Sequence, residues 1–260
     1  MSIYEHFRHD EKEWIDQVLE WRSYVEDTYA PKKTDFLDPR QQTILRSVIG
    51  KNGDVEVTFF GGQSHTERKR AILSPDYMTP SSEDYDITLW NIDYPQKFVN
   101  LEHREILGSL MGLGLKREKF GDILMDTSKG IIQFYACKEV SDYLSLNFQQ
   151  VGRNKIKLEE LPLEKAIVKA EDGSEKQITS SSLRLDAVIS QVVPFSRQKV
   201  QQWIQQGNVK VNWKLVEQTS FECKEGDTLS IRGFGRITIK IIEGQTKKGK
   251  TRLTVILQKS

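Results

Sequence analysis

Cysteine is almost absent from this sequence. Cys137 and Cys223 are the two among 260 residues, far apart and in unrelated patterns. A disulfide framework is therefore not expected, and a reducing cytosol is the simplest compartment. Long apolar runs are missing as well. None approaches the length that crosses a bilayer, so a membrane is not an expected partner. The opening stretch from Met1 to Glu11 has no apolar segment behind a basic start, and no secretory signal is expected. Histidine is sparse, with four in the chain. His6 and His9 have the spacing of helical metal ligands, but no cysteine or acidic pattern accompanies them, so a surface helix is the better reading. His65 and His103 stand alone, and no metal or other cofactor is expected.

Charge of one sign is also missing: the formal net charge is +1. That balance hides a polarity. From Ser180 onward there are 14 Lys+Arg and 6 Asp+Glu, which leaves 24 basic and 31 acidic residues of the chain's 38 and 37 before it. A folded RNA is a dense array of phosphates, so the basic end is the end expected to meet nucleic acid. A membrane-binding basic tail would also show an amphipathic helix or a lipid attachment site, and neither is visible. Hydrophobic residues make up 37% and charged residues 29%, an ordinary globular composition with room for about two or three small domains.

The first 75 residues read as a small α+β domain. Trp14, Val18, Trp21 and Val25 fall on one helical face, and Ala30-Pro31-Lys32-Lys33 stops that helix. Asp38 and Pro39 open a second helix to Ile49, and Val55, Val57 and Phe59 alternate as a strand ending at Gly61-Gly62. Residues 76–163 give strand Ile87–Ile92, helix Leu101–Leu115, strand Gly121–Met125, strand Ile131–Ala136, helix Glu139–Phe148 and strand Lys155–Leu158. This βαββαβ order is the ferredoxin-like arrangement shared by RNA-recognition motifs. Those motifs want aromatics where Ile131 and Gln133 stand, so Phe134 and Trp90 are read as core. Between 164 and 180, Glu171-Asp172-Gly173-Ser174 separates two strand-like runs and predicts a connecting hairpin.

Residues 181–260 carry the clearest pattern. Leu185, Val188, Ile189 and Val192 have helical spacing, Ser196 can cap a second helix burying Val200, Trp203 and Ile204, and Gly207 stops it. Short strands Val209–Asn212, Leu215–Val216 and Thr228–Ile231 follow, then a hairpin from Gly235 to Ile242 and Thr251 to Leu257. The succession Arg184-Leu185-Asp186, Ser196-Arg197, Gly207-Asn208-Val209-Lys210-Val211-Asn212-Trp213 and Gly226-Asp227 resembles the S4 RNA-binding domain. It departs at Trp213, where that family usually has glycine; tryptophan resists positive φ, and asparagine tolerates it better.

The chemistry of this segment agrees with RNA contact. Arg184, Arg197 and Lys199 open helices, where backbone N–H groups already favour phosphate, and arginine forks clamp phosphate oxygens bidentately. Ser196 and Asn212 belong to the same motif. Lys210 and Lys214 flank the hairpin turn and are read as pointing away from Val209 and Val211. Lys247, Lys248 and Lys250 lie in the last loop, either a phosphate contact or a solubilising tip, and are read as contact because they continue the basic end. Asp186 is read as orienting Arg197 or capping the chain. Glu67-Arg68-Lys69-Arg70 is either an internally paired helical face or a second RNA contact.

Nearly the whole chain resembles the YlmH family of bacterial S4-domain proteins. Gly61-Gly62, Glu67-Arg68-Lys69-Arg70 and Pro75 match its first domain, and residues 112–123, Gly-Leu-Gly-Leu-Lys-Arg-Glu-Lys-Phe-Gly-Asp-Ile, match its middle domain. The resemblance implies a cytosolic, ribosome-associated protein without known catalysis. It implies binding to rRNA and tRNA on large ribosomal subunits that carry peptidyl-tRNA after a stall, in quality control that extends the stalled peptide. DNA is not an expected partner.

The competing class is an RNA-modifying enzyme targeted by its S4 domain. A pseudouridine synthase carries its catalytic Asp in a Gly-Arg-Leu-Asp context, but the Arg-Leu-Asp here lies inside the S4 pattern. A methyltransferase shows Gly-x-Gly-x-x-Gly between strand and helix, whereas Gly112-x-Gly114 ends a helix and lacks the third glycine. No ATP-site signature and no nucleophile–base pair is present, so no catalytic residue is expected.

Overall fold

The computed structural model describes residues 7, 11–50, 53–168, 173–246 and 249–259. The chain divides into two compact units, Met1–Ala170 and Glu171–Ser260.

In the first unit, α1 (Lys12–Thr28) forms on the expected apolar face and buries Ile15, Val18 and Val25. It ends where Tyr29 turns left-handed at φ 55°. β1 (Lys32–Leu37) follows immediately, a strand where the sequence predicts only a stop. α2 (Pro39–Ile49) starts at a reciprocal cap: Gln41 N–H donates to the Asp38 carboxylate at 2.8 Å, and Asp38 N–H donates to the Gln41 side chain at 2.9 Å. β2 (Val55–Phe60) and β3 (Lys69–Pro75) complete an antiparallel sheet in the order β1-β3-β2. The Glu67–Arg70 run therefore enters the central strand and is not helical.

The same unit continues through β4 (Ile87–Asp93), α3 (His103–Gly112), β5 (Phe120–Asp126), β6 (Ile131–Cys137), α4 (Ser141–Asn147), the small ribbon β7 (Gln150–Val151) and β8 (Asn154–Lys155), and β9 (Lys157–Leu161). The main strands form an antiparallel sheet in the order β5-β6-β4-β9. The expected fourth strand at 155–158 is displaced, because 154–155 pairs in the ribbon instead. Ile15, Val18, Ile44, Leu45, Ala71 and Leu73 share one core between the helices and the first sheet. Phe36 and Ile72, on the other side of that sheet, share a core with Leu89 and Tyr135 of the second. The second sheet's opposite face packs on α3 and α4 through Ile106, Leu110, Phe134 and Leu144. The unit is thus layered helix, sheet, sheet, helix.

The second unit contains β10 (Ser174–Ser180), α5 (Leu185–Ser190), α6 (Arg197–Gln205), β11 (Val209–Val211), β12 (Lys214–Leu215), β13 (Thr228–Ile231), β14 (Gly235–Gln245) and β15 (Thr251–Lys259). Its sheet order is β10-β15-β14-β13-β11-β12. Among the described residues the connecting hairpin expected at 164–180 is not seen: Ser174–Ser180 pairs along its length with β15, and Leu163–Lys165 is a short helical turn. The cause is the long C-terminal strand, which offers a full ladder from Ser180↔Thr251 to Ser174↔Leu257. Residues 169–172, the end of the first expected run and half of the expected turn, lie outside the described residues. Leu185, Val188, Ile189, Val200 and Ile204 form the core as expected, with Trp203 partly buried against it. The chain is α+β throughout.

Candidate nucleic-acid interface

Asp186 is fully buried near the start of α5 and is the hub of the site. Its Oδ1 accepts Arg184 Nε at 3.2 Å, and its Oδ2 accepts Arg197 Nε at 3.0 Å and Gln201 Nε2 at 2.6 Å. Burial alone would raise this carboxyl's pKa, but the hydrogen bonds from Arg197, Gln201 and Arg184 outweigh it and hold it down at about 2. The two guanidiniums are brought together from the N-cap of α5 and the first residue of α6. Their side chains remain 43% and 45% exposed. Among the described residues, each gives its Nε–H to Asp186 and no hydrogen bond engages its Nη groups. The carboxylate thus fixes two cationic forks with their outer donors turned to solvent.

Ser196 caps α6 by accepting Lys199 N–H at 3.3 Å, and the Lys199 ammonium stands over the Phe195 ring at 4.5 Å. Lys199 is thus held on a defined stem against Phe195, two residues beyond Arg197 and turned away from the face that Arg197 shares with Gln201. The hairpin residues divide. Val211 pairs with Lys214, and Lys210 pairs with Leu215. Directly opposed residues share a face, so the two exposed lysines leave opposite faces of the ribbon. Only Lys210 points away from Val211, a correction to the sequence reading. Asn212 is turned inward chemically: its Nδ2 donates to Asp227 at 2.8 Å and its Oδ1 accepts Thr228 N–H at 2.9 Å. Its side chain holds the turn. Lys250 is exposed in the last loop, while Lys247 and Lys248 lie outside the described residues.

Sequence reasoning missed Gln201, although it lies one turn beyond Arg197 and so shares its face. It also missed Arg236, which becomes a neighbour of Lys210 only through the strand register Lys210↔Ser230↔Arg236.

The basic run of the first unit is consumed internally. Arg68 donates to the carbonyls of Phe36 at 2.8 Å and Phe120 at 3.2 Å. Arg70 is buried and donates to Thr34 O at 2.8 Å, to Asp86 O at 2.9 Å and to Glu139. The sheet face on which RNA-recognition motifs stack bases is closed too. Gln133 donates to Lys165 O at 3.2 Å and accepts Ile167 N–H at 2.8 Å, and Tyr135 lies against Gly62. Trp90 and Phe134 are core residues, as expected. Asp35, Cys137 and Glu139 cluster with donor atoms within 4.8 Å. Lys119 pairs with both carboxylates, Arg70 pairs with Glu139, and burial pushes the Cys137 thiol up to about 12, so the cluster is an ion-pair network. Among the described residues, no helix is long and apolar enough to cross a membrane.

Three family models match the chain. Residues 10–78 match the N-terminal domain of YlmH, residues 80–165 the putative RNA-binding domain in YlmH, and residues 183–229 the S4 domain. The "ribosome-associated protein quality control protein P2" of Bacillus subtilis (strain 168) is 48% identical over 258 residues, which span 99% of each chain. A solved structure of the "cell division protein ylmH from Streptococcus pneumoniae" superposes with a TM-score of 0.54 at 33% identity, covering 64% of this chain and 100% of that one. With arginines grouped on the S4 domain and near full-length identity of this order, the chain belongs to the YlmH family of S4-domain RNA-binding proteins.

Proposed function

We propose that this is a cytosolic RNA-binding protein that associates with the ribosome through its S4 domain and performs no chemistry on the RNA. The observation that carries the reading is the buried Asp186 presenting Arg184 and Arg197 as two fixed, outward forks. A phosphate backbone passing this end of α5 and α6 meets four unengaged Nη groups, and Lys199, in the same first turn of α6, adds its charge to the contact. Because Asp186 already orders both side chains, less conformational freedom is lost on binding. Lys210, Lys214, Lys247, Lys248 and Lys250 extend the contact, and Ser196 holds the start of α6. The relative named for ribosome-associated quality control supports the finer reading. In that reading the ligand is rRNA and tRNA on a large subunit that carries peptidyl-tRNA after a stall.

Cosedimentation of the purified protein with isolated large subunits tests this. Binding is expected at low salt and should fall steeply as salt rises, because each neutralised phosphate releases counterions. Recovery only in the free fraction at low salt overturns the reading.

A further inference from the structure

Trp203 and Trp213 have opposite surroundings. Trp203 packs against Phe195 with ring centroids 4.8 Å apart and joins the core of the second unit. Trp213 is partly buried but stands outside that core, and the Arg236 guanidinium lies over its ring, 5.9 Å from the centroid. Its backbone is unusual as well. Asn212 and Trp213 are the central residues of the β11–β12 turn and have φ of 49° and 64°. Positive φ at both positions is the pattern of a tight primed hairpin turn, for which glycine is the unstrained choice at the second position. A bulky side chain rarely adopts that conformation. Core burial does not account for its presence, because the ring contributes little to the core.

The turn is rigidly held. Asn212 is tied to Asp227 and to Thr228 N–H, and Asp227 in turn accepts Lys224 N–H at 2.7 Å. The ring therefore projects from a fixed base. Exposed Lys210 and Lys214 bracket it in the chain, one on each face of the ribbon, so the surroundings are cationic. Strained residues that their surroundings hold rigidly cluster at binding sites, and core packing does not explain this one.

The geometry points to a base-stacking site: the Trp213 ring, backed by Arg236 and flanked by Lys210, receives an unpaired nucleobase of a bound RNA. The adjoining phosphates meet the flanking cations. Proteins read unpaired bases by stacking them on aromatic rings and arginine planes, which is the pairing of groups found here. This rests on the reading that the S4 domain binds RNA, and it adds a preference for single-stranded RNA at one position.

The test uses the full-length protein and two single-stranded probes, a uridine oligomer of about 12 nucleotides and an abasic oligomer of equal length and charge. The wild type should prefer the uridine oligomer by about ten-fold, the effect of one stacked base. Trp213→Gly should abolish the preference while binding the abasic oligomer as the wild type does, and it should melt no lower than the wild type, since glycine suits the turn. Trp213→Phe, which keeps a ring, should retain part of the preference. Equal binding of the two oligomers by the wild type overturns the site, as does failure to bind either. A parallel loss of melting temperature and of abasic binding in Trp213→Gly also overturns it, by making the ring structural. Cosedimentation with large subunits is scored separately. Subunit binding without base preference sinks this site alone, and base preference without subunit binding sinks the ribosomal reading alone.

Discussion

Arg197 on α6 donates from Nε to Oδ2 of Asp186 on α5 at 3.0 Å, and Asp186 has no exposed surface. The bond ties two helices together while the rest of the guanidinium faces outward. One side chain therefore has a structural half and a half available to ligand. Arg184 lies two residues before Asp186 and shares it without bridging helices.

This asymmetry separates the two arginines. Arg197→Ala should destabilise the second unit by about 2 kcal/mol, because it removes the interhelical tie and leaves a buried carboxylate short of a partner. Arg184→Ala should cost less than about 1 kcal/mol, since Arg197 and Gln201 still serve Asp186. Each should weaken RNA binding by about ten-fold or more. Urea unfolding and cosedimentation of both variants check this, and equal unfolding midpoints would show that the tie carries no stability.

The same carboxylate sets an acid limit. Its folded pKa is held at about 2, below the usual 3.8. A depressed carboxyl pKa adds stability that is fully present above the unfolded value, near pH 4, and is lost as pH falls towards 2. At neutral pH this contribution is on the order of 2 kcal/mol. Asp186→Asn should therefore melt below the wild type at pH 7, with the two curves converging as pH approaches 2. A gap of constant size from pH 7 to pH 2 would contradict the depressed pKa.

Local signals were legible in the sequence. The Asp38 cap and the α5 and α6 stripes involve residues within a few turns of each other, and the S4 spacing is a fixed order of short local motifs. What was hidden depends on partners distant in sequence. β3 opens with Lys69-Arg70, which looks like a solvated charge run. Arg70 nevertheless lies inside the fold, because Thr34, Asp86 and Glu139 supply acceptors 36, 16 and 69 residues away. β1 was hidden because its Lys-Lys-Thr-Asp start is polar, and its pairing with β3 is non-local. Asn212 was grouped with the RNA contacts by its place in the motif. Its role in holding the turn depends on Asp227, 15 residues on.

The two cysteines should be silent in the native protein. Burial pushes both thiols up to about 12, and both side chains are enclosed. The thiolate is the reactive species, so almost none is available at neutral pH. A maleimide should label neither Cys137 nor Cys223 at pH 7.5 without denaturant, and peptide mass analysis would show prompt modification if either site were open.

That silence makes Cys137 a reporter for the most constrained contact of the first unit. Gly62 sits at φ +100°, and a Cβ placed on it would fall 2.2 Å from Cε1 of Tyr135. Tyr135 has no room to retreat: it is fully buried in the core that Phe36 and Leu89 share. Nor can it be moved alone, because Gly121 packs against both Tyr135 and Phe36. Gly62→Ala therefore combines a disfavoured backbone conformation with overpacking between the two sheets, and it should cost about 3 kcal/mol or more. Cys137 lies on β6, two residues from Tyr135, so opening of that interface should expose it. Maleimide labelling of Cys137 should then be more than about 100-fold faster in Gly62→Ala than in the wild type, the ratio that about 3 kcal/mol gives when opening is in rapid equilibrium. Cys223 lies in the second unit and supplies the internal control. Its rate should stay at the wild-type value. Equal acceleration at both cysteines would mean that the substitution unfolds the whole chain at once, and no acceleration at Cys137 would mean that the alanine is accommodated at Gly62 without opening the interface.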